Sequence, residues 1–267
     1  MEAGRIVSAV RLHESIRPGG NAVRSFRLLD LTLPSPVENL ALDEALLDDL
    51  EEHDSDPILR FWESDRHFVV LGRASILTDD VDVASCRQDN VPVLRRASGG
   101  GTILQGPGCL SYALVFPISL HPDLRDIRST NRFILQRIAK VLHRWQPAIA
   151  FQGISDLANE SLKISGNAQQ RKRKALLFHG TILYGMQASS IARYLKHPKR
   201  KPDYRGDRHH GAFLSTIDAS PHEMKQAIAD AWHAHVRLET WSQTRMSCAM
   251  ANVVERSHLH EGEQFTM

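Results

Sequence analysis

The sequence predicts an α+β domain whose sheets are mixed and largely antiparallel, with helices flanking them. Three observations carry that expectation. Apolar runs of strand length are interleaved with helical stretches, but without the regular strand–helix alternation of a doubly wound parallel sheet. The chain has 267 residues, 42% hydrophobic and 24% charged, with a net charge of +2, the balance of an ordinary globular domain. Its glycine-rich stretch matches neither GxGxxG nor GxxxxGK[ST], so the phosphate loops of the common nucleotide folds are missing there.

Residues 1–23 are polar, end near "RPGG" and read as a loose leader without the apolar segment of a secretory signal. "SFRLLDLTL" reads as a first strand. The helix "SPVENLALDEALLDDLEE" follows, with Ser35 as N-cap, Pro36 at the first helical position and Glu38 completing a capping box. "ILRFWES", "HFVVLGR" and "VPVLRR" are strand-length apolar runs, the last delivered into three glycines, and "LSYALVFPI" is a strand beyond them. Between Asp126 and Gln146, apolar residues recur at helical spacing: Ile127, Ile134, Ile138, Val141, Leu142 and Trp145. "ALLFHGTILYG" is again strand-like, and Ser220, Pro221 and Glu223 open a last helix. The catalytic unit is therefore expected over residues 24–238, and residues 239–267 read as an unpatterned tail.

No run approaches the roughly 18 apolar residues of a membrane span. Three scattered cysteines, Cys86, Cys109 and Cys248, form no CxxC pair, which argues against a disulfide framework and a structural zinc site and makes the cytoplasm the default compartment. The histidine groups His209-His210 and His258-x-His260 lack cysteines at zinc spacing, and no protein-bound metal is expected.

Two segments carry chemistry. In the first, Arg95 and Arg96 run into Ala97-Ser98-Gly99-Gly100-Gly101-Thr102. Bare backbone there suits either a tight hairpin or an anion approached closely by N–H groups, with the arginines favouring the anion. In the second, Lys163 lies between Leu162 and Ile164, ahead of what reads as a small flexible turn, Ser165-Gly166-Asn167. A compact charge on a long stem can reach a phosphate or carbonyl oxygen. The run Arg171 to Lys174, "RKRK", reads on its own as a solvated face, and no interleaved aromatics suggest nucleic acid. His179 reads as a core histidine and Asp156 as a loop carboxylate.

Together these stretches resemble the lipoate–protein ligase branch of the biotin/lipoate protein ligase superfamily, to which octanoyltransferases are related, over about Phe26 to Trp232. The resemblance rests on "LALDEAL", "ILRFW", "VVLGR", "RRASGGGT", "SYALVFP", "SLKISGNAQQRKRKALLFHGTIL" and "YLKHP" in that order. It implies that lipoate or octanoate is joined to ATP, used as its Mg2+ complex, and that the acyl-adenylate then acylates one lysine of an acceptor domain. No tightly bound cofactor is implied. Lys163 would be the catalytic lysine. Arg95, Arg96, Ser98, Gly99, Gly100, Gly101 and Thr102 would bind the acyl-adenylate, with Ser165, Gly166, Asn167 and Ala168 beside Lys163. Asp156 would help hold magnesium or the ribose–phosphate, and His179, Gly180 and Thr181 would line the acyl end. The family's GRND stands here as "GISD", keeping the aspartate and losing the arginine and asparagine.

The implied acceptors are lipoyl domains of 2-oxoacid dehydrogenase E2 subunits or the glycine-cleavage H protein, with no nucleic acid or membrane partner. Many lipoate ligases carry a further C-terminal domain. The resemblance leaves open whether a separate accessory subunit supplies its role here. The rival within the fold is a cysteine-dependent octanoyltransferase or lipoyl amidotransferase, whose acyl group rides on a thiolate. The regions where related branches place that cysteine, "PAIAFQGISDLANESLK" and "YGMQASSIARYLKHPKRKPDY", contain none. Cys109 sits among apolar residues and glycines that offer nothing to lower its pKa. A non-enzymatic reading, a basic docking or accessory subunit, explains the charges but leaves the glycine and lysine segments without a role.

Overall fold

The computed structural model describes residues 25–53 and 55–258. Its strands are β1 (Arg27–Asp30), β2 (Ile58–Trp62), β3 (Phe68–Leu71), β4 (Val93–Arg95), β5 (Ile103–Gln105), β6 (Cys109–Pro117), β7 (Ile149–Gln152), β8 (Asp156–Asn159), β9 (Leu162–Arg171), β10 (Ala175–Leu183) and β11 (Val236–Arg237). Its helices are α1 (Pro36–Glu52), α2 (Leu77–Asp80), α3 (Val83–Gln88), α4 (Ile127–Leu142), α5 (Ala188–Tyr194), α6 (His210–Phe213), α7 (Pro221–Ala231) and α8 (Gln243–His258). Eight strands form one sheet in the order β11-β1-β2-β6-β10-β9-β8-β7, and β4-β3-β5 form a second. Pairing is antiparallel from β2 through to β7, whereas β1 runs parallel to β2 and β11, and β3 to β4. This is the mixed, largely antiparallel α+β architecture the sequence predicts. Among the described residues, no helix is long and apolar enough to cross a membrane.

Alternation along β6 explains the layers. Leu110, Tyr112, Leu114 and Phe116 point to one face, where Ile134, Leu135 and Ile138 of α4 and Ile228 of α7 cover them. Ala113 and Val115 point to the other, against Leu42, Leu46 and Leu47 of α1. The capping box forms as expected: Ser35 Oγ accepts from the Glu38 amide at 3.2 Å, and Glu38 accepts from the Ser35 amide at 2.8 Å.

Two expectations are corrected. Within the segment read as a tail, Gln243–His258 is a helix that lays Met246, Ala249 and Val253 against α1, while the 1–23 leader and His260 lie outside the described residues. The signal was in α1, whose buried positions run nearly all round the helix and so demand a second covering layer. Ser165-Gly166-Asn167 is no flexible turn but the middle of β9, a ten-residue strand held between β8 and β10. Strand pairing on both sides overrides the turn preference of these small residues.

Arg60, in the middle of β2, is fully buried beneath α1. Its guanidinium meets Asp43 of α1 at 2.5 Å and donates to the Asn39 carbonyl at 2.8 Å, to Asn39 Oδ1 at 2.9 Å and to the Leu31 carbonyl at 3.2 Å. One side chain thus ties the start of α1 and the loop after β1 to the central sheet. Replacing Arg60 with alanine strands a buried carboxylate, and we expect a loss of about 3–5 kcal/mol in unfolding free energy by urea denaturation. A loss under about 1 kcal/mol would show that the pair holds nothing together.

Candidate active site

The glycine segment is the loop from β4 to β5. Arg96, just past β4, turns its buried guanidinium onto that loop: Nη2 donates to the carbonyls of Gly99 and Gly101, each at 2.8 Å, and Nε to Ser98 Oγ at 3.0 Å. Burial lowers its pKa only to about 10, so it remains charged at neutral pH and holds the loop in one shape. Gly100 has φ +90°, and its carbonyl lies where any Cβ on Gly72 would sit, at 2.1 Å. The close backbone approach anticipated at the glycines is therefore met first by the protein's own chain. Arg95, adjacent in a strand, faces the other way, and its Nη1 donates to the carbonyls of Gly72 and Ser75, each at 2.8 Å.

Beside this loop opens a pocket of about 130 Å³. Arg96, Gly100, Gly101 and Thr102 line it from the loop. Asp156, Lys163, Gly166, Asn167 and Ala168 line it from β8 and β9, and His179, Gly180 and Thr181 from β10. Arg95, Ser98, Gly99 and Ser165 do not, although Ser98 and Ser165 support residues that do.

Lys163 Nζ rests 2.8 Å from Asp156 Oδ1 across the β8–β9 pair. Gly166 leaves the room this needs, since a Cβ there would stand 3.0 Å from Nζ. The other carboxylate oxygen, Asp156 Oδ2, accepts from the Tyr204 hydroxyl at 2.9 Å. Burial and the neighbouring carboxylate raise the Tyr204 pKa above the ordinary phenol range, so the hydroxyl keeps its proton and donates. Both oxygens of Asp156 thus have partners, and the lysine is held by a buttressed carboxylate.

Asn167 is fixed as tightly. Its Nδ2 donates to the Ser155 carbonyl at 2.8 Å, and its Oδ1 accepts from the Tyr112 hydroxyl at 2.5 Å. A Cβ on Gly180 would fall 1.7 Å from that oxygen, so only glycine fits opposite on β10.

At the α1 side of the pocket, His179 Nε2 lies 2.6 Å from Ser98 Oγ, and Nδ1 lies 4.0 Å from Asp43 Oδ2, beyond hydrogen-bond reach. Burial, reinforced by the Arg96 charge, lowers the His179 pKa to about 3. Neutral His179 accepts the Ser98 proton, and Ser98 accepts in turn from Arg96. Sequence reading missed Asp43, Tyr112 and Tyr204 as site residues. A signal existed for Asp43: it is an acid within an apolar helix face, as Arg60 is a base within an apolar strand, and each is the other's partner. Tyr204 gave none, since 48 residues separate it from Asp156.

Cys109 is buried, and its thiol is pushed up to about 12, chiefly by that burial. Cys86 is likewise raised to about 11. Neither lines the pocket. Among the described residues no cluster of three or more His, Cys, Asp or Glu side chains could hold a metal.

Residues 35–231 match the model of the lipoyl protein ligase A/B catalytic domain family, and the chain belongs to that family. A Mycoplasma pneumoniae protein described as a probable lipoate-protein ligase A is 28% identical over 173 residues, 64% of this chain and 50% of that one. The chain thus spans about half the length of that relative. Octanoyltransferase LipM of Carboxydothermus hydrogenoformans is 30% identical over 191 residues, covering 65% of this chain and 70% of that one. The fold matches the bi-partite lipoate protein ligase of Thermoplasma acidophilum, solved in a study of that ligase and its E2 lipoyl domain. Its TM-score is 0.73 at 22% identity, over 91% of this chain and 99% of that one.

The depressed His179 pKa fixes the sign of a pH effect. The unfolded chain takes up this proton near pH 6.5 and the folded protein only near 3, so the stabilisation is complete above 6.5 and is lost as pH falls between those values. From pH 7 to pH 5 we expect urea denaturation to show about 1–2 kcal/mol of loss assignable to this group, absent in His179→Gln. An equal loss in the variant would remove His179 as its source.

Proposed function

We propose that this member of the lipoyl protein ligase A/B catalytic-domain family attaches lipoate or octanoate to a lysine of a lipoyl acceptor domain through an acyl-adenylate made from Mg-ATP. The observation that carries the reading is Lys163, aimed into the pocket and held by Asp156 beside the glycine loop, in a pocket that no cysteine lines. In the first step a carboxylate oxygen attacks the α-phosphorus of ATP, and the bond to pyrophosphate breaks. In the second, the acceptor amine attacks the acyl carbonyl, loses a proton, and AMP departs with the bonding electrons. Negative charge concentrates on carbonyl and phosphate oxygens in both steps, and a prearranged cation there stabilises the transition state more than the ground state. Lys163 supplies that cation without becoming acylated.

Asp156 acts in this reading by orienting Lys163, since Tyr204 and Lys163 occupy both its oxygens. The loop held by Arg96 contributes bare backbone beside the adenylate, and neutral His179 lines the acyl side without adding charge. The acceptors are proposed to be lipoyl domains of E2 subunits or the H protein.

The LipM relatives favour a second reading, in which the acyl group arrives from a carrier and is transferred without ATP. In its cysteine-dependent form that chemistry needs a thiolate, and the raised thiols of Cys86 and Cys109, both outside the pocket, argue against it.

Lipoate-dependent exchange of labelled pyrophosphate into ATP isolates the first step. We expect exchange by the wild type and a loss of about 10²–10³-fold in Lys163→Ala, the range for removing one prearranged donor. Exchange that survives Lys163→Ala unchanged would remove this lysine from the chemistry, and no exchange in the wild type would favour acyl transfer. Tyr204→Phe, which frees one oxygen of Asp156, should lower kcat about tenfold with little change in KM for lipoate.

A further inference from the structure

Much of the basic segments that stand out in the sequence is engaged by the fold itself, three lysines in ion pairs and two arginines on backbone carbonyls. Lys172 pairs with Asp48, Lys199 with Asp79 at 2.8 Å and Lys201 with Asp207. Arg171 donates to the carbonyls of Leu124 and Arg125, and Arg208 to those of Tyr204, Arg205 and Ser161. Arg173, Lys174 and Arg200 are the cations of those runs whose side chains have no such partner among the described residues.

Helix α4 is different. From Ile127 to Ser155 the chain has no aspartate or glutamate, yet it carries Arg128, Arg132, Arg137, Lys140 and Arg144. Arg137 is turned inward, donating to the Ala231 carbonyl and stacking over Trp232. Arg128, Arg132 and Lys140 are exposed, and among the described residues none of the three is in an ion pair, unlike Lys172, Arg193, Lys199 and Lys225. Their spacing, with Gln136 between, runs along one slowly winding stripe about 18 Å long.

The stripe begins at the pocket. Asn131 of α4 donates to the Ile154 carbonyl at 2.8 Å, and Gln169 bridges Asn131 Oδ1 and the Ile127 carbonyl. Ser155 and Asp156, the next residues, line the pocket itself. Two isoleucines stand out in solvent at this junction, Ile127 at 55% exposure and Ile154 at 76%. An apolar pair at the pocket rim, continued past the N-cap Asp126 by a row of cations, is the pattern of an interface whose apolar part anchors and whose charges steer.

We infer that the exposed stripe of α4, with Ile127 and Ile154, is the docking surface for an acidic protein domain that presents a lysine to the pocket. The inference rests on the proposed function for the identity of that domain, an acceptor, and adds where it sits. Carboxylates on the partner would meet Arg128, Arg132 and Lys140 while its apolar surface covers the isoleucines at the rim. A nucleic acid fits less well, because the stripe offers no exposed aromatic side chain on which a base could stack.

The test measures binding of the full-length protein to an acidic apo lipoyl domain by titration calorimetry, at low and at physiological salt. Reversal of the stripe (Arg128→Glu, Arg132→Glu, Lys140→Glu) should raise Kd about tenfold or more and flatten its salt dependence. The neutral set (R128Q, R132Q, K140Q) should fall between. Reversal of the exposed Arg237 on β11, at the opposite edge of the large sheet from β7, should leave Kd within about twofold. Ile154→Ser should raise Kd without changing its salt slope. Equal losses from both reversals would overturn the inference in favour of unspecific attraction. So would an unchanged Kd, or reversal weakening binding to a duplex DNA oligonucleotide while sparing the lipoyl domain. Pyrophosphate exchange, which needs no acceptor, separates the two readings. Normal exchange with an unchanged Kd would sink the docking surface alone. Absent exchange with a Kd that still responds to the stripe would sink the adenylation reading and leave the surface standing.

Discussion

The buried pair of Arg60 and Asp43 is the constraint on which the site depends. A guanidinium buried under a helix needs its charge matched and acceptors for its donors, and here α1 and the preceding loop supply a carboxylate and acceptors to both terminal nitrogens. In satisfying Arg60, α1 brings Asp43 to the edge of the pocket, opposite His179. From there a polar seam continues through Ser98 to Arg96 and the carbonyls of the glycine loop. The cations at the two ends of the seam, Arg60 and Arg96, are held by the protein's own groups. Their work is to hold backbone in place, which leaves Lys163 as the pocket cation on a long stem, buttressed from behind.

That division corrects the simplest reading of the double arginine. Two adjacent strand-end residues face opposite ways, so they cannot both attend one ligand: Arg95 braces the loop after β3, and Arg96 braces the glycines. The glycines answer more than one demand. Gly72 and Gly180 are required because another part of the protein occupies the space of a side chain, whereas a Cβ on Gly99 or Gly101 would meet nothing within 4 Å. The open side of the loop is the side available to a ligand.

Much of the architecture was legible because its signals are local. The capping box of α1, the period of α4 and the apolar run of β6 each lie within a short stretch of chain. The second layer over α1 was not read, because α8 carries small and polar residues on a weak stripe and owes its order to the helix it covers. Near the pocket, Lys163 and the glycines stood out from the residues themselves, whereas Asp156 and His179 read as ordinary and were singled out only by the family resemblance. Tyr204 and Asn167's partner Tyr112 were not, since their roles arise from contacts between strands and loops distant in sequence. The basic runs drew attention away from α4: three lysines of those runs are in ion pairs, whereas Arg128, Arg132 and Lys140, spread along a helix, form no cluster in the sequence.

The central claim is that this pocket makes an acyl-adenylate and passes its acyl group to an acceptor lysine. The most direct measurement is the intact mass of an apo lipoyl domain after incubation with the protein, lipoic acid and Mg-ATP. The account predicts a gain of one lipoyl group that disappears when ATP is left out. A gain that persists without ATP from an acyl-carrier donor, with none from free lipoic acid and ATP, would contradict adenylation.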